Sequence, residues 1–561
     1  MKKILAGLLL LIPAVLRAQD RAKDPLLDAM ASELERSVAG LRHAEPSPLY
    51  YLGYEAYDKN SYFVSAQGGA LYSEDEHRSR SLDVDARVGS YALDNSHEVK
   101  GDYAYTNSKN QESFAIPVED DTAALRSEIW NLTDRAYKSA LDQYAKVKMN
   151  KSVTAEEEDK SGDFSAAPAE TFYRKASFPV LDREKFKAMA KRLSEKFKPY
   201  DFIYDSEVSF SADTNNRYMV NSEGTRLVTG NTYLRFMYSL YTRTADGMGL
   251  SRYKIYDADA PEDIPAEAAI AADVDASIAQ LKALKDAPPS EPYTGPVLLQ
   301  SRASGVFFHE ILGHRMEGHR QKSEDSGQTF AKKVGELIMP DFISVYDDPT
   351  LRAQGTQFLR GYYLFDDEAV RARKASLVEN GVLKGFLMGR SPIKNFPASN
   401  GHGRRSEGRG ATSRQGNLIV VSSKTVPYAE LRRRLIEEIK KSGKPYGLVV
   451  EDISGGFTIT ERNLPQSFSV QVTMGSKVYA DGRPDEPVRG LNLIGTPLQT
   501  FSRIVLAGDD PGVFNGSCGA ESGWVPVAAV APSLLFSEME TEKVEKSNAR
   551  PPVLKPPFTD K

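Results

Sequence analysis

His309, Glu310 and His314 stand within six residues of each other in an apolar run, Val306-Phe307-Phe308-His309-Glu310-Ile311-Leu312-Gly313-His314. Two neutral imidazoles can hold a Zn²⁺ ion, and a carboxylate beside them can take a proton from water on that ion. Such a set points to a zinc hydrolase, and among hydrolases to a peptidase first. The spacing adds a constraint. Histidines four apart lie about 40° from each other around a helix of ~3.6 residues per turn, whereas a five-residue step separates them by about 140°. His309 and His314 therefore cannot converge on one ion from a regular helix. A local π-bulge, or a helix that ends at Gly313, would bring the rings together.

Glu310 has two possible roles, as a further ligand or as the general base, and its place directly after a ligand favours the base. Three of the seven histidines lie at 309, 314 and 319. His319 repeats the five-residue step and reads as a ligand, an outer-shell group or a surface residue; Glu317 could instead orient a ligand ring. The single cysteine, Cys518, has no partner for an internal disulfide. It sits in Gly516-Ser517-Cys518-Gly519, read here as a small-residue turn, and a thiolate is a good third zinc ligand; an inert buried thiol is the alternative. The basic, Gly-rich Gly401-His402-Gly403-Arg404-Arg405 is either an exposed loop or a grip on a peptide carboxylate or oxyanion by Arg404 and Arg405. Asp366-Asp367-Glu368 reads as a loop or helix cap.

The elements that must position these groups follow from periodicity. Residues 50–102 alternate apolar and polar, most clearly in Ser81-Leu82-Asp83-Val84-Asp85-Ala86-Arg87-Val88, as strands do. Helical spacing recurs over 123–148, over a helix capped by Asp182, and over an Ala-rich stretch near 265–284. The Pro-rich stretch 286–292 is the best domain boundary. Beyond it come a short buried strand at Val297, the His309 helix, further strands, and a helix from Pro427 to Gly443. The fold class expected is α+β with two domains: a mixed N-terminal domain over 19–287, and a strand-rich C-terminal domain over 293–545 that carries the metal-binding helix. Residues 546–561 read as a disordered tail.

The chain has 561 residues, 40% hydrophobic and 27% charged, with a formal charge of −5. That is ordinary globular composition and argues against a nucleic-acid footprint. Lys2 and Lys3, the apolar residues 4–15 and Leu16-Arg17-Ala18 read as a signal peptide over 1–18, too short for a comfortable membrane span. A periplasmic or secreted protein with no stable membrane span after cleavage is expected.

At this point the C-terminal half resembles the TldD/TldE (PmbA) family of zinc peptidases, on the TldD side. The resemblance rests on Gly295-Pro296-Val297-Leu298, the H-E-x-x-x-H run, Leu377-Val378-Glu379-Asn380-Gly381, Gly403-Arg404-Arg405, Glu451-Asp452-Ile453-Ser454-Gly455-Gly456, Val488-Arg489-Gly490 and Gly516-Ser517-Cys518-Gly519. It implies that His309, His314 and Cys518 hold zinc and that Glu310 is the catalytic base. It implies a peptidase acting on unfolded proteins or small peptides, with substrate extended in a tunnel. A homodimer, or a heterodimer with a TldE-like paralogue lacking the metal motif, is the implied assembly. The N-terminal half, particularly residues 45–180, matches only loosely. Two rivals stay open: a thiol peptidase using Cys518, and a non-catalytic partner subunit.

Overall fold

In the computed structural model, residues 24–99, 113–152, 158–323, 326, 329–462, 464–544 and 548–557 are described. The signal-peptide expectation over 1–18 falls outside them. Described residues 548–557 form no strand.

Period-two alternation builds the N-terminal half around one sheet. β1 (Leu49–Gln67) and β2 (Ala70–Val88) form a hairpin whose turn residues, Gly68 and Gly69, take φ of 50° and 79°. A two-residue turn of that hand follows the strand twist and suits glycine. β3 (Phe114–Ala115), β4 (Thr171–Arg174), β5 (Asp205–Asn221), β6 (Arg226–Arg243) and β7 (Gly249–Ala258) complete it, in the order β3-β2-β1-β5-β6, with β4 and β7 both paired to β6.

Four helices lie on one face: α1 (Pro25–Leu41), α2 (Thr122–Lys151), α3 (Arg183–Glu195) and α4 (Glu267–Asp286). Leu52, Tyr54 and Ala56 of β1 pack with Leu82, Ala86, Tyr218 and the apolar stripes of α1 and α2. Farther along, Val64, Val208 and Phe210 pack with α3 and α4. Successive strand residues point to opposite faces, so Glu55, Asp83 and Arg217 face the C-terminal half, where they meet Arg405 and Asp367. α3 begins where expected, with the Asp182 carboxylate accepting from Lys185 N at 3.0 Å. α1 stands where the sequence reading assigned no element; Asp24 caps it, accepting from Leu27 N at 3.2 Å, with Pro25 in the first turn.

The C-terminal half contains a closed ring of five strands. β8 (Tyr293–Leu299) pairs with both Gly447–Thr458 and Leu534–Lys543. Leu534–Lys543 pairs with Leu491–Gly495, which pairs with Phe468–Val478, which returns to Gly447–Thr458. A second sheet runs in the order Val382–Leu383, Ala375–Glu379, Ile343–Asp347, Asn417–Ser422, Gly523–Ala531, Gly512–Ala520. α5 (Ser301–Ile311) is buried from Ala303 onward, in contact with Gly447–Thr458 of the ring and the last two strands of the second sheet. Phe307 meets Phe468, Phe501 and Phe536 edge to face. An apolar helix of this kind has no solvent face. α6 (Tyr428–Ser442) covers the ring from outside through Leu431, Leu435 and Ile439, and ends at Gly443 with φ 65°. The architecture is α+β.

Candidate metal centre

The helix stops before the five-residue step can separate the rings. α5 ends at Ile311, Leu312 caps it, and Gly313–Met316 continues as a 3₁₀ turn. Of the two remedies available to the spacing, the chain uses the early stop, two residues before Gly313, and not the π-bulge. The rings of His309 and His314 come to 5.3 Å between centroids. Gly313 is required by close approach: a Cβ there would sit 1.8 Å from Gln415 Oε1.

Cys518 comes from the strand Gly512–Ala520, not from a turn as expected. The small residues serve the pairing of strands. A Cβ on Gly516 would meet the Phe514 ring at 2.5 Å, and one on Gly519 would meet the Trp524 ring at 3.0 Å. The thiol lies 3.3 Å from His314 Nε2. One donor atom from each of His309, His314 and Cys518 lies within 4.8 Å of the others, and all three residues are buried. Burial would push the thiol up, but the two imidazoles more than offset this and hold it well below the ordinary thiol range.

The outer contacts orient the ligands. His314 Nδ1 is hydrogen-bonded to Glu317 Oε2 at 3.4 Å. Glu317 is wholly buried; burial opposes its charge, but His314, Arg320 and Arg414 hold its pKa at about 2. His309 Nδ1 is buried with no hydrogen-bond partner. An orphaned imidazole nitrogen, a second imidazole fixed through its other nitrogen, and a thiol held below its ordinary range together fit a zinc ion. Tetrahedral bonds of ~2.0–2.3 Å separate ligand atoms by roughly 3.5 Å.

Glu310 is oriented differently. With His314 it lines a cavity of about 1770 Å³ between the two halves, walled on the far side by Asp83, Asp85 and Arg87. Burial pushes its carboxyl above the ordinary glutamate value, against the pull of the two histidines and the Gly456 N–H. A Cβ on Gly456 would meet Ser469 O at 2.7 Å and Glu310 Cγ at 3.3 Å, so the strand approaches the acid closely only as glycine.

Residues 292–543 match the family described as the PmbA/TldA metallopeptidase C-terminal domain. The chain is 28% identical over 257 residues to the metalloprotease TldD homolog of Buchnera aphidicola, covering 44% of this chain and 47% of the relative. It is 24% identical over 253 residues to the zinc metalloprotease TldD homolog of Saccharolobus solfataricus, covering 45% and 52%. Residues 292–543 thus resemble the TldD/TldE (PmbA) family. The chain spans about half the length of these curated relatives. The crystal structure of TldE from Thermococcus kodakarensis superposes with a TM-score of 0.58 at 16% identity, over 92% of this chain and 100% of that one. The fold shared with that TldE thus extends through the N-terminal half, beyond the residues of the family match.

Within that TldD/TldE-type fold the remaining candidates take different places. Arg404 is buried, donates to the carbonyls of Gln415 at 2.6 Å and Pro526 at 2.7 Å, and is not among the cavity-lining residues. Arg405 lines the cavity but pairs with Glu55 at 2.5 Å and with Asp83. The protein's own carboxylates and carbonyls supply acceptors where a substrate carboxylate or oxyanion was expected. His319 stands outside the three-ligand cluster, pairs with Glu521 and lines the cavity. His402 is wholly buried between Asn400 Oδ1 at 2.8 Å and Asp347 Oδ1 at 3.2 Å. Asp366 anchors its own loop, accepting from Val370 N and Gly403 N at 2.9 Å. Sequence reasoning missed Arg414 and Gln415, which lie beneath the centre; neither stands in a motif with a chemical signature.

Proposed function

We propose that this chain is a zinc-dependent peptidase that hydrolyses peptide bonds in unfolded proteins or small peptides. The observation that carries this reading is the convergence of His309, His314 and Cys518, with Glu310 beside them at the cavity wall. His309, His314 and Cys518 would hold the ion, leaving a position for water and substrate. Zinc so held supplies a Lewis acid that polarises the scissile carbonyl and lowers the pKa of water.

The chain's residues do the rest. Glu310 takes the proton of the attacking water and returns it to the leaving amine, and its raised pKa suits both transfers. Gly456 N–H keeps the carboxylate aimed. Glu317 fixes the His314 ring through Nδ1, which leaves Nε2 for the ion. Residues 453–458 of the strand Gly447–Thr458 pair with Phe468–Val478 on one side. Their other edge has no strand partner among the described residues, and Gly456, Phe457 and Thr458 line the cavity. An extended peptide added along that edge would present backbone carbonyls near Glu310.

A thiol-peptidase reading draws support from the Cys518 thiol, 3.3 Å from His314 Nε2 and held below its ordinary range. Cys518 is nine-tenths or more buried and not among the cavity-lining residues, which disfavours attack on a bound peptide. A TldE-like partner subunit, or a second copy of this chain, completes the proposed assembly.

Metal analysis with peptide cleavage tests the proposal. One zinc per chain is expected, with activity lost on chelation and restored by zinc. Glu310→Gln should keep the zinc and lose roughly 10²–10⁴-fold in rate. Activity that survives complete metal removal, or parent-rate cleavage by the Gln variant, refutes it.

A further inference from the structure

Arg414 follows the short strand Thr412–Ser413 and is wholly buried. Its guanidinium reaches both segments that bring ligands to the centre. Nη2 donates to the carbonyl oxygen of Cys518 at 2.7 Å. Nη1 donates to Ser522 Oγ at 2.8 Å and to Gly523 O at 3.0 Å, just past the end of the same strand. On the other side, Nε forms an ion pair with Glu317 Oε1 at 3.2 Å, and the same carboxylate meets His314 Nδ1 through Oε2 at 3.4 Å.

The base of Arg414 is fixed independently of both segments. Its backbone N–H donates to His402 O at 2.9 Å, and the His402 ring is held by Asp347, whose carboxylate also accepts from Gly416 N and Asn417 N at 3.0 Å. The neighbouring Gln415 reaches the carbonyl of His309 at 3.3 Å. The thiol and the His314 imidazole come from positions 204 residues apart. A planar fork with several donors can hold both at once, whereas an ammonium on a flexible stem cannot reproduce that geometry.

We infer that Arg414 is a positioning residue of the metal centre, clamping the Cys518 strand to the His314 turn through Glu317 so that the three donors converge before an ion arrives. It touches neither substrate nor ion; it acts through Glu317 and the Cys518 backbone. The inference rests on the zinc reading.

The test measures zinc affinity of the full chain against a chromophoric chelator, and the visible spectrum after loading with Co²⁺, which reports thiolate ligation. Arg414→Lys and Arg414→Gln should bind zinc about 10–100-fold more weakly, the usual effect of losing an outer-shell partner. Their cobalt spectra should lose thiolate character. Arg390→Lys is the control: Arg390 is equally buried but bonds Ser165 O and Glu223, and its substitution should leave both readouts at the parent level. Glu317→Gln, which keeps the shape and removes the charge linking Arg414 to His314, should weaken zinc to a similar degree. In the double variant the two losses should not add.

Parent affinity and spectrum in a folded Arg414 variant overturn the inference. So does full affinity in Glu317→Gln, which covers the case in which no Arg414 variant folds, and so do additive losses. If the parent chain itself takes up neither zinc nor cobalt, the zinc reading fails, and that result is distinct from parent-like binding by the variants.

Discussion

Glu310 has the surroundings a general base needs, and they set its pH behaviour. Burial raises its carboxyl above the usual glutamate value of about 4.5, with the histidines and Gly456 N–H opposing. A base works only when deprotonated, so kcat/KM should be present above this raised pKa and fall as pH drops through it, with a slope of one proton. Glu310→Gln should abolish this acidic limb. An acidic limb that survives Glu310→Gln in the zinc-loaded protein would show that another group carries it. At this scale the pair of histidines and the glutamate were legible, because few other arrangements bring those types so close in an apolar run. The roles of Arg404 and Arg405 were not. Their partners Glu55, Asp83, Gln415 and Pro526 come from distant positions, and a basic loop in sequence looks the same whether it grips a ligand or the protein itself.

The geometry of the centre depends on where one helix stops. The 3₁₀ turn at Gly313–Met316 leaves no room for a side chain at 313, since Gln415 Oε1 occupies that space. Gly313→Ala should displace Gln415 or the turn and weaken zinc binding, and Gln415→Ala in the same chain should recover part of the loss. Undiminished affinity in Gly313→Ala alone would mean that the turn tolerates the methyl group. The apolar stripes of α2, α3, α4 and α6 made those helices readable, and Gly443 in a left-handed conformation marks the end of α6 as glycine does. The Cys518 segment was misread as a turn because small residues serve turns and tight strand pairing alike. Only the Phe514 and Trp524 rings against Gly516 and Gly519 reveal which of the two applies.

The two halves meet through buried charge as well as apolar contact. Arg405 pairs with Glu55 and Asp83, Arg217 with Asp367, and Arg390 with Glu223. Removing one member of such a set leaves carboxylates buried and uncompensated, at a cost of ~3–5 kcal/mol. Arg405→Met should lower unfolding stability by about that amount while zinc content stays at the parent level. If instead stability holds and KM alone rises, Arg405 acts on substrate, as the sequence first suggested. No helix among the described residues is long and apolar enough to cross a membrane.

The sequence by itself determined the chemistry on offer: two imidazoles and a carboxylate in an apolar run, one remote thiol, and strands whose alternation sends acids and arginines to one face. Local pattern is enough for that, since side-chain type and the periods of helix and strand are properties of short segments. Tertiary structure decided which of these groups meet. His314 and Cys518 are separated by 204 positions, and their contact depends on a strand edge, an early helix end and a buried guanidinium that no short segment contains.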